Sequence, residues 1–167
     1  YDTGAILSQT EVEIRPDDTG GSLKTRCTKT ANAAVGKLLL QMDNEMIVPI
    51  NQKEELASYQ PQITEKDVLI NFEHSAELID RQIRAFEPWS KCYIPHKNVY
   101  FTFKNHKIVD ETCDMPAKLV DFNDKELYII TGDKKIMQFS GITIYKHSRL
   151  FTKLYTAFRL KNGDIME

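Results

Sequence analysis

The stretch from Ser75 to Trp89 carries the signals of one short helix with both of its ends marked. Ser75 is a good N-cap because its hydroxyl can accept a hydrogen bond from an unpaired first-turn N–H. Pro88 stops the helix, since proline has no N–H and disfavours a helical conformation in the residue before it. Apolar residues recur at spacings of three and four, which predicts one buried face. They are Leu78, Ile79, Ile83 and Phe86.

The chain before this helix predicts a strand, a turn and a long helix. Residues 5–14 are apolar at first and then alternate, as a strand does. Asp18 or Thr19 can cap the helix that follows, which the apolar spacing places at about residues 20–43. Strand, turn and long helix together are typical of the closing unit of an α/β layer. The pattern is then lost, and we assign residues 44–74 to an interdomain linker.

After Trp89 the apolar period changes to two, which predicts short strands. They fall at residues 98–103, 107–109, 117–120, 126–130 and 135–139. Three pairs of turn residues separate them, namely Asn105-His106, Asn123-Asp124 and Gly132-Asp133. Four or five short strands with tight turns are typical of a small closed barrel. The spacing after Thr143 is helical again and predicts a helix to Arg159.

Charge is divided unevenly along the chain. The net charge is −2 overall, but residues 1–133 carry −7 and residues 134–167 carry +5. A basic segment behind an acidic body indicates a localised anionic partner. The alternative is a solvated surface of scattered cations. The candidate anion-binding residues are Lys134, Lys135, Lys146, Arg149, Lys153, Arg159 and Lys161.

Other classes of protein are disfavoured by composition. The three cysteines, Cys27, Cys92 and Cys113, are far apart, so we expect free thiols in a reducing compartment and no metal site. No apolar run is long enough to span a bilayer, and we expect no membrane partner. The chain begins at Tyr1 without a signal sequence, and we expect further residues in front of it.

The literal sequence of the helix carries a family resemblance. Residues 83–89, Ile-Arg-Ala-Phe-Glu-Pro-Trp, closely resemble the Ile-Arg-Ala-Phe-Asn-Pro-Trp signature that opens the C-terminal domain of methionyl-tRNA formyltransferases. Residues 59–67 resemble the linker of that family, Tyr-Ala-Pro-Lys-Leu-Ser-Lys-Glu-Asp. Asp2-Thr3-Gly4 and residues 18–21 resemble two motifs at the end of its formyl-transfer domain. The resemblance covers residues 1 to about 145 and then fades.

The resemblance implies an α/β fold followed by a β domain. Residues 1–43 would end a Rossmann-like formyltransferase domain, and residues 75–167 would form a small OB-like barrel of the tRNA-binding type. The family reaction moves a formyl group from formyl-tetrahydrofolate to the amino group of initiator methionyl-tRNA. It implies a bacterial cytoplasm or a mitochondrial matrix as the location.

By the same resemblance, Asp2 matches a catalytic aspartate that works with an Asn and a His. Attack of an amine on a formyl group makes an oxyanion that needs positioned donors, and the amine must lose a proton. Residue chemistry alone makes Asp2 a turn residue beside Thr3-Gly4. The family carries the Asn and the His in an Asn-x-His-Pro context before this motif. All four histidines of this chain come after it.

Two alternatives for the function stay open at this point. A sugar-amine formyltransferase shares the catalytic domain, although the linker and the signature favour the tRNA branch. A non-catalytic scaffold or RNA-binding subunit of a larger protein or ribonucleoprotein assembly is the other alternative. Glu87 in place of Asn, and Ser90-Lys91 in place of Pro-Gly, are compatible with it.

The aromatic residues Trp89, Tyr100, Phe101 and Phe103 either stack on bases or pack in the core, and we expect core packing.

Overall fold

The computed structural model describes residues 3–44, 47–96, 99–118, 120–123, 125–144 and 162–166. The chain divides into two compact units, Tyr1–Ile63 and Thr64–Glu167. We call them the first unit and the second unit. The domain boundaries that the sequence places after residues 43 and 74 stay predictions.

The long helix of the first unit is confirmed. Helix α1 spans Gly20–Asp43. The Ser22 N–H donates to Thr19 Oγ1 (3.2 Å) while the Thr19 N–H donates to Ser22 Oγ (3.0 Å), so the two residues form a capping box. This reciprocal pair satisfies two backbone donors at the helix start. A 3-10 turn at Glu54–Leu56 follows later in the unit.

The strand predicted at residues 5–14 is wrong in the described chain. Only Ile6 of this segment belongs to a β-bridge, and its partner is Ile50. A strand needs a neighbouring strand to receive its backbone hydrogen bonds, whatever the side-chain alternation. Here one residue of the segment finds such a partner, so alternation alone does not make a ladder.

The second unit holds one helix and short antiparallel strands. After a 3-10 turn at Glu65–Val68, helix α2 spans Ala76–Phe86. The described strands are β1 Ile94–His96, β2 Val99–Thr102, β3 Asn105–Thr112, β4 Val120–Phe122, β5 Glu126–Ile130, β6 Lys135–Ser140 and β7 Thr143–Ile144. They form a three-stranded sheet in the order β1-β2-β7 and a four-stranded sheet in the order β3-β6-β5-β4.

The predicted β-rich region is therefore confirmed, but a closed OB-like barrel is not. Within the described residues the strands belong to two separate sheets. Closure requires a continuous ladder around all strands. The β4 edge is met instead by residues 163–166: the Val120 N–H donates to Asp164 O (3.0 Å) and the Met166 N–H to Lys118 O (3.1 Å).

Three local predictions have different outcomes. Asn123 forms its turn, because its Oδ1 accepts from the N–H groups of Lys125 (2.9 Å) and Glu126 (3.0 Å). The turn predicted at Asn105-His106 is wrong, since β3 begins at Asn105 and the chain bends one residue earlier, at Lys104. The helix predicted from Thr143 is wrong at Thr143–Ile144, which form β7, and its remainder lies outside the described residues.

The core of the second unit lies between α2 and the inner face of the four-stranded sheet. The register aligns Leu127 with Phe139 and Ile129 with Met137, and all four are fully buried. Ile79 of α2 is also fully buried, whereas Leu78 is 45% exposed, so the predicted buried face is wrong at Leu78. Each buried aliphatic or aromatic side chain contributes about 1.5–3 kcal/mol to folding.

The β5–β6 turn holds the start of α2. Asp133 Oδ1 accepts from the Ala76 N–H (3.0 Å) and from Thr131 Oγ1 (2.6 Å). The Gly132 N–H donates to His74 O (3.0 Å). Ser75 caps the helix as predicted, with its Oγ accepting from the Leu78 N–H (3.3 Å). Helix and sheet are thus joined by hydrogen bonds as well as by apolar contact.

Candidate functional site

The catalytic candidate Asp2 lies outside the described residues, but the segment that follows it has a defined anchor. Gln52 Nε2 donates to Gly4 O (2.7 Å). The Ile6 N–H donates to Ile50 O (2.8 Å), and the Ile50 N–H donates to Ile6 O (2.9 Å). The motif Thr3-Gly4 therefore starts a segment that is tied to residues 50–52 of the first unit.

The second motif, at residues 18–21, is built around a buried carboxylate. Asp18 accepts from Arg26 Nη1 (2.7 Å), from Ser22 Oγ (2.7 Å) and from the Arg15 N–H (2.8 Å), and Arg26 Nη2 makes a further short contact. The Arg26 guanidinium, then Ser22 and the Arg15 N–H, hold the pKa of Asp18 far below its usual range. These hydrogen bonds favour the charged form. The motif is thus a fixed helix start.

Protonation of Asp18 is expected to weaken the first unit in acid. Because the folded pKa is depressed, this stabilisation is present above the unfolded pKa of about 3.9 and is lost as the pH falls through the folded pKa. We expect Asp18→Asn to lower the unfolding midpoint at pH 7 and to differ less from wild type at pH 3. Thermal unfolding at both pH values measures this. The exposed neighbour provides the control Asp17→Asn, and an Asp18→Asn effect that is equal at both pH values would contradict the expectation.

The signature segment of α2 is held by packing and by an ion cluster. Ile83 and Phe86 pack against the buried core. Asp80 accepts from Arg84 Nε (2.8 Å) and lies 3.0 Å from His106 Nε2 of β3. The His106 ring stacks on Phe139, with the centroids 6.5 Å apart. The cluster ties the signature helix to the sheet, which favours a positioning role.

The sequence reasoning missed this cluster because it assigned His106 to a turn. Two signals were present: Asp80 and Arg84 have the i,i+4 spacing of a helical ion pair, and His106 precedes Ile108 by two residues. The second spacing places both side chains on one face of a strand. The contact with Asp80 spans 26 residues and could not be read from either segment alone.

Two of the seven candidate anion-binding residues lie in the described chain, and both have partners. Lys134 Nζ donates to Met115 O (3.0 Å). Lys135 forms an ion pair with Glu77, which raises the pKa of the lysine. The other five lie outside the described residues. The anion-binding assignment stays a prediction.

The four aromatic candidates divide into buried and exposed residues. Phe101 is fully buried, and Phe103 packs edge-on against Phe139 with the centroids 4.8 Å apart, so core packing is confirmed for both. Tyr100 is 42% exposed and Trp89 is 57% exposed, so the core expectation is wrong for them. Their exposed faces can take part in binding.

The outer face of the four-stranded sheet carries a groove with a mainly apolar lining and two carboxylates. The register aligns Lys107, Gln138, Tyr128 and Asp121 across the four strands. The groove, about 370 Å³, is lined by apolar residues with Tyr128, Asp121 and Glu111. Carboxylates repel phosphate, so this groove is a poor place for a nucleic-acid backbone.

The cysteines are free thiols, as predicted. Cys27 is exposed, Cys113 is half-buried and Cys92 is buried, and burial raises the pKa of the Cys92 thiol to about 11. In the described ranges, no group of three or more His, Cys, Asp or Glu side chains is placed to hold a metal ion. The described helices also include none that is long and apolar enough to cross a membrane.

Comparison with known proteins identifies the family. The family model described as formyl transferase, C-terminal domain, matches residues 62–150 of the 167-residue chain. The chain belongs to this family. The match covers α2, its signature and the described strands from β1 to β7. It confirms the family resemblance that the sequence motifs indicate.

Curated relatives of this formyltransferase-family chain align with both of its units. The methionyl-tRNA formyltransferase of Enterococcus faecalis is 27% identical over 138 residues, covering 82% of this chain and 44% of that protein. The methionyl-tRNA formyltransferase of Blochmanniella floridana is 31% identical over 156 residues, covering 84% of this chain and 47% of that protein. The chain thus spans about half the length of the curated relatives it matches.

Solved structures share the fold. HypX from Aquifex aeolicus matches with a TM-score of 0.64 and 15% identity, covering 98% of this chain and 30% of that one. An N-formyltransferase from Helicobacter canadensis, in complex with folinic acid and dTDP-3-aminofucose, matches with a TM-score of 0.58 and 20% identity. That match covers 83% of this chain and 51% of the other. At these identities the likeness concerns the fold alone.

Proposed function

We propose that this chain is the C-terminal part of a methionyl-tRNA formyltransferase-like protein. The protein transfers a formyl group from formyl-tetrahydrofolate to the amino group of initiator methionyl-tRNA. The observation that carries the proposal is the extent of the alignment: methionyl-tRNA formyltransferases align with 82–90% of the chain, beyond the C-terminal domain itself. The motifs at residues 2–4, 18–21 and 83–89 support it in the same order along the chain.

The two units have separate tasks in this proposal. Asp2 supplies a carboxylate that orients a neutral histidine and stabilises the positive charge that this histidine gains when it removes the proton from the attacking amine. That histidine and the asparagine that binds the oxyanion belong to the part of the relatives' length that this chain does not span. The second unit binds the tRNA, with the basic residues between 134 and 161 on its phosphates.

Two alternatives have specific support. The Helicobacter canadensis structure is a complex with the sugar nucleotide dTDP-3-aminofucose, and a second solved neighbour, WlaRD, is described as a sugar 3N-formyl transferase. A sugar amine is therefore the competing acceptor. The two carboxylates in the groove of the outer sheet face are compatible with the scaffold alternative, because carboxylates repel the phosphates of RNA.

A formylation assay with the natural full-length protein tests the proposal. Formyl-tetrahydrofolate is supplied with methionyl-tRNA in one reaction and with dTDP-3-aminofucose in another. Formyl transfer to the tRNA alone is the expected result. Transfer to the sugar alone would replace the proposed acceptor, and no transfer to either would favour the scaffold.

The tRNA contact is expected to depend on Lys146, Arg149 and Lys153. Their spacing of three and four residues suits one shared face. Each phosphate contact contributes a slope of about −0.7 to −0.9 in log K against log salt, so replacing all three by Ala should flatten the slope by about two units. Filter binding of tRNA at several salt concentrations measures it.

A matched control removes three exposed lysines of the first unit by replacing Lys29, Lys37 and Lys53 with Ala. It causes the same loss of charge and should leave the salt slope within about half a unit of wild type. Thermal stability should change little in the control variant, because exposed charges contribute little to folding. Equal slopes in the two triple variants would contradict a tRNA contact at Lys146, Arg149 and Lys153.

A further inference from the structure

Strand β3 forms one edge of the four-stranded sheet, whose order is β3-β6-β5-β4. It spans Asn105–Thr112 and is the longest of the described strands. Among the described elements, β3 packs only against β6 and α2. Its pairing with β6 leaves the other side of the strand without a described strand partner. A strand edge of this length presents backbone N–H and C=O groups that can receive a further strand.

Three residues of β3 share the outer face of the sheet. The register places Lys107 in one row with Tyr128 and Val109 directly opposite Ile136. Tyr128, Ile136 and Glu111 all line the groove of that face. Paired side chains point to the same side of a sheet, and so do alternate residues of one strand, which puts Lys107, Val109 and Glu111 together. The two charged residues are exposed and Val109 is half-buried.

The order of these three residues along β3 is self-complementary. In an antiparallel pair centred on Val109 of two copies, Lys107 of each copy lies opposite Glu111 of the other. Two pairs of opposite charge then flank an apolar pair on one face, which stabilises the pairing. Centring the pair on Ile108 would place Lys107 opposite Val109, without a charge pair on this face. Centring it on Asp110 would bring two carboxylates directly opposite each other, which is destabilising.

We propose that the free edge of β3 is the docking surface for a second copy of this chain. The two β3 strands pair antiparallel about a two-fold axis at Val109, because the charges on this edge complement themselves. The axis is perpendicular to the sheet, so the joined eight-stranded sheet carries both copies of α2 on the same face. A pair of strand edges buries less area than a standard interface, so the dimer dissociates in the micromolar range or above. The inference holds whichever acceptor the protein formylates.

Exchange of the two charges provides the first test, by sedimentation velocity of the natural full-length protein at several concentrations. We expect wild type to form a dimer that weakens as salt is added. Lys107→Glu and Glu111→Lys each place like charges opposite one another, and each should raise the dimer dissociation constant at least about tenfold. The double variant restores both opposite-charge pairs and should return to within about threefold of wild type.

Recovery in the double variant also excludes misfolding as the cause of the single losses. Three outcomes of this test would overturn the proposal. They are a wild-type protein that is monomeric at every concentration, single variants that dimerise as wild type does, and a double variant that stays monomeric.

A disulfide across the two-fold axis provides the second test. Directly opposed Cα atoms of an antiparallel pair lie about 4.5–5.5 Å apart, which a disulfide can span. Val109→Cys in the full-length protein should therefore form a covalent dimer when diamide oxidises the two thiols. Thr112→Cys is the matched control on the same strand, because the two copies of residue 112 would lie about 20 Å apart.

The control variant should crosslink no more than wild type, whose own free thiols set the background. Equal crosslinking of Val109→Cys and Thr112→Cys would overturn the proposal. The register shift between Val109 and Thr112 would then protect a free edge from pairing, as bulges do at sheet edges.

Discussion

Replacing Asp2 by Asn in the natural full-length protein is expected to lower formylation turnover by about 10²–10⁴-fold. The amide keeps the size of the side chain but cannot carry the negative charge that stabilises a protonated histidine. The amine proton then has a weaker acceptor in the transition state. Single-turnover measurement of formyl transfer to methionyl-tRNA reports this step directly.

Two controls separate the chemistry from the fold in the Asp2 experiment. Replacing the exposed Asp17 by Asn removes the same charge from the same unit, and that variant should keep its turnover. Binding of tRNA should be unchanged in Asp2→Asn, since the tRNA contact is assigned to the basic residues from Lys134 to Lys161. The unfolding midpoint should be unchanged as well. A fully active Asp2→Asn protein would leave Asp2 as the turn residue that its local sequence also suits.

The parts of the fold that sequence predicted correctly depend on local signals. The Ser75 cap and Pro88 determine the ends of α2 within a few residues, and Thr19 does the same for the start of α1. These effects act between residues three or four positions apart. The same holds for the turn at Asn123, whose side chain binds the backbone two and three residues ahead.

The parts that sequence did not predict depend on which elements meet. Alternation at residues 5–14 predicted a strand, but a strand exists only where a neighbour accepts its hydrogen bonds. Leu78 and Ile79 both fit the apolar spacing of three and four residues along α2. Only Ile79 lies on the side of the helix that the sheet covers. Strand β1 was missed because it is three residues long and contains Pro95, which weakens any strand signal.

The features of the candidate site also divide into those that the sequence could predict and those that it could not. The motifs could be found from sequence because each is a short string. The cluster of Asp80, Arg84 and His106 could not, since α2 and β3 are brought together only by the fold. Closure into a barrel likewise depends on pairing between strands that are far apart in the sequence. The described strands pair into two separate sheets instead.

Gly132→Ala is expected to destabilise the second unit by about 3 kcal/mol or more. A Cβ at this position would lie 1.9 Å from Glu73 O and 2.7 Å from Glu73 C, and both are backbone atoms. Neither side can move away freely. The Gly132 N–H donates to His74 O (3.0 Å), and Asp133 Oδ1 accepts from the Ala76 N–H (3.0 Å). The clash would therefore separate the start of α2 from the β5–β6 turn.

Urea and thermal unfolding of the second unit measure this effect, and a loss of about 3 kcal/mol corresponds to a shift on the order of 10 °C or more. Gly36→Ala is the matched control, because no heavy atom lies within 4 Å of its added Cβ and it sits inside α1. Alanine in a helix interior is favoured over glycine by about 0.5–1 kcal/mol, so this variant should stabilise the first unit, whose unfolding is followed separately, and leave the second unit unchanged. The same substitution then has opposite signs at the two positions. An unchanged midpoint for Gly132→Ala would show that the contact between the turn and residues 73–76 can relax, and that α2 is held mainly by its apolar face.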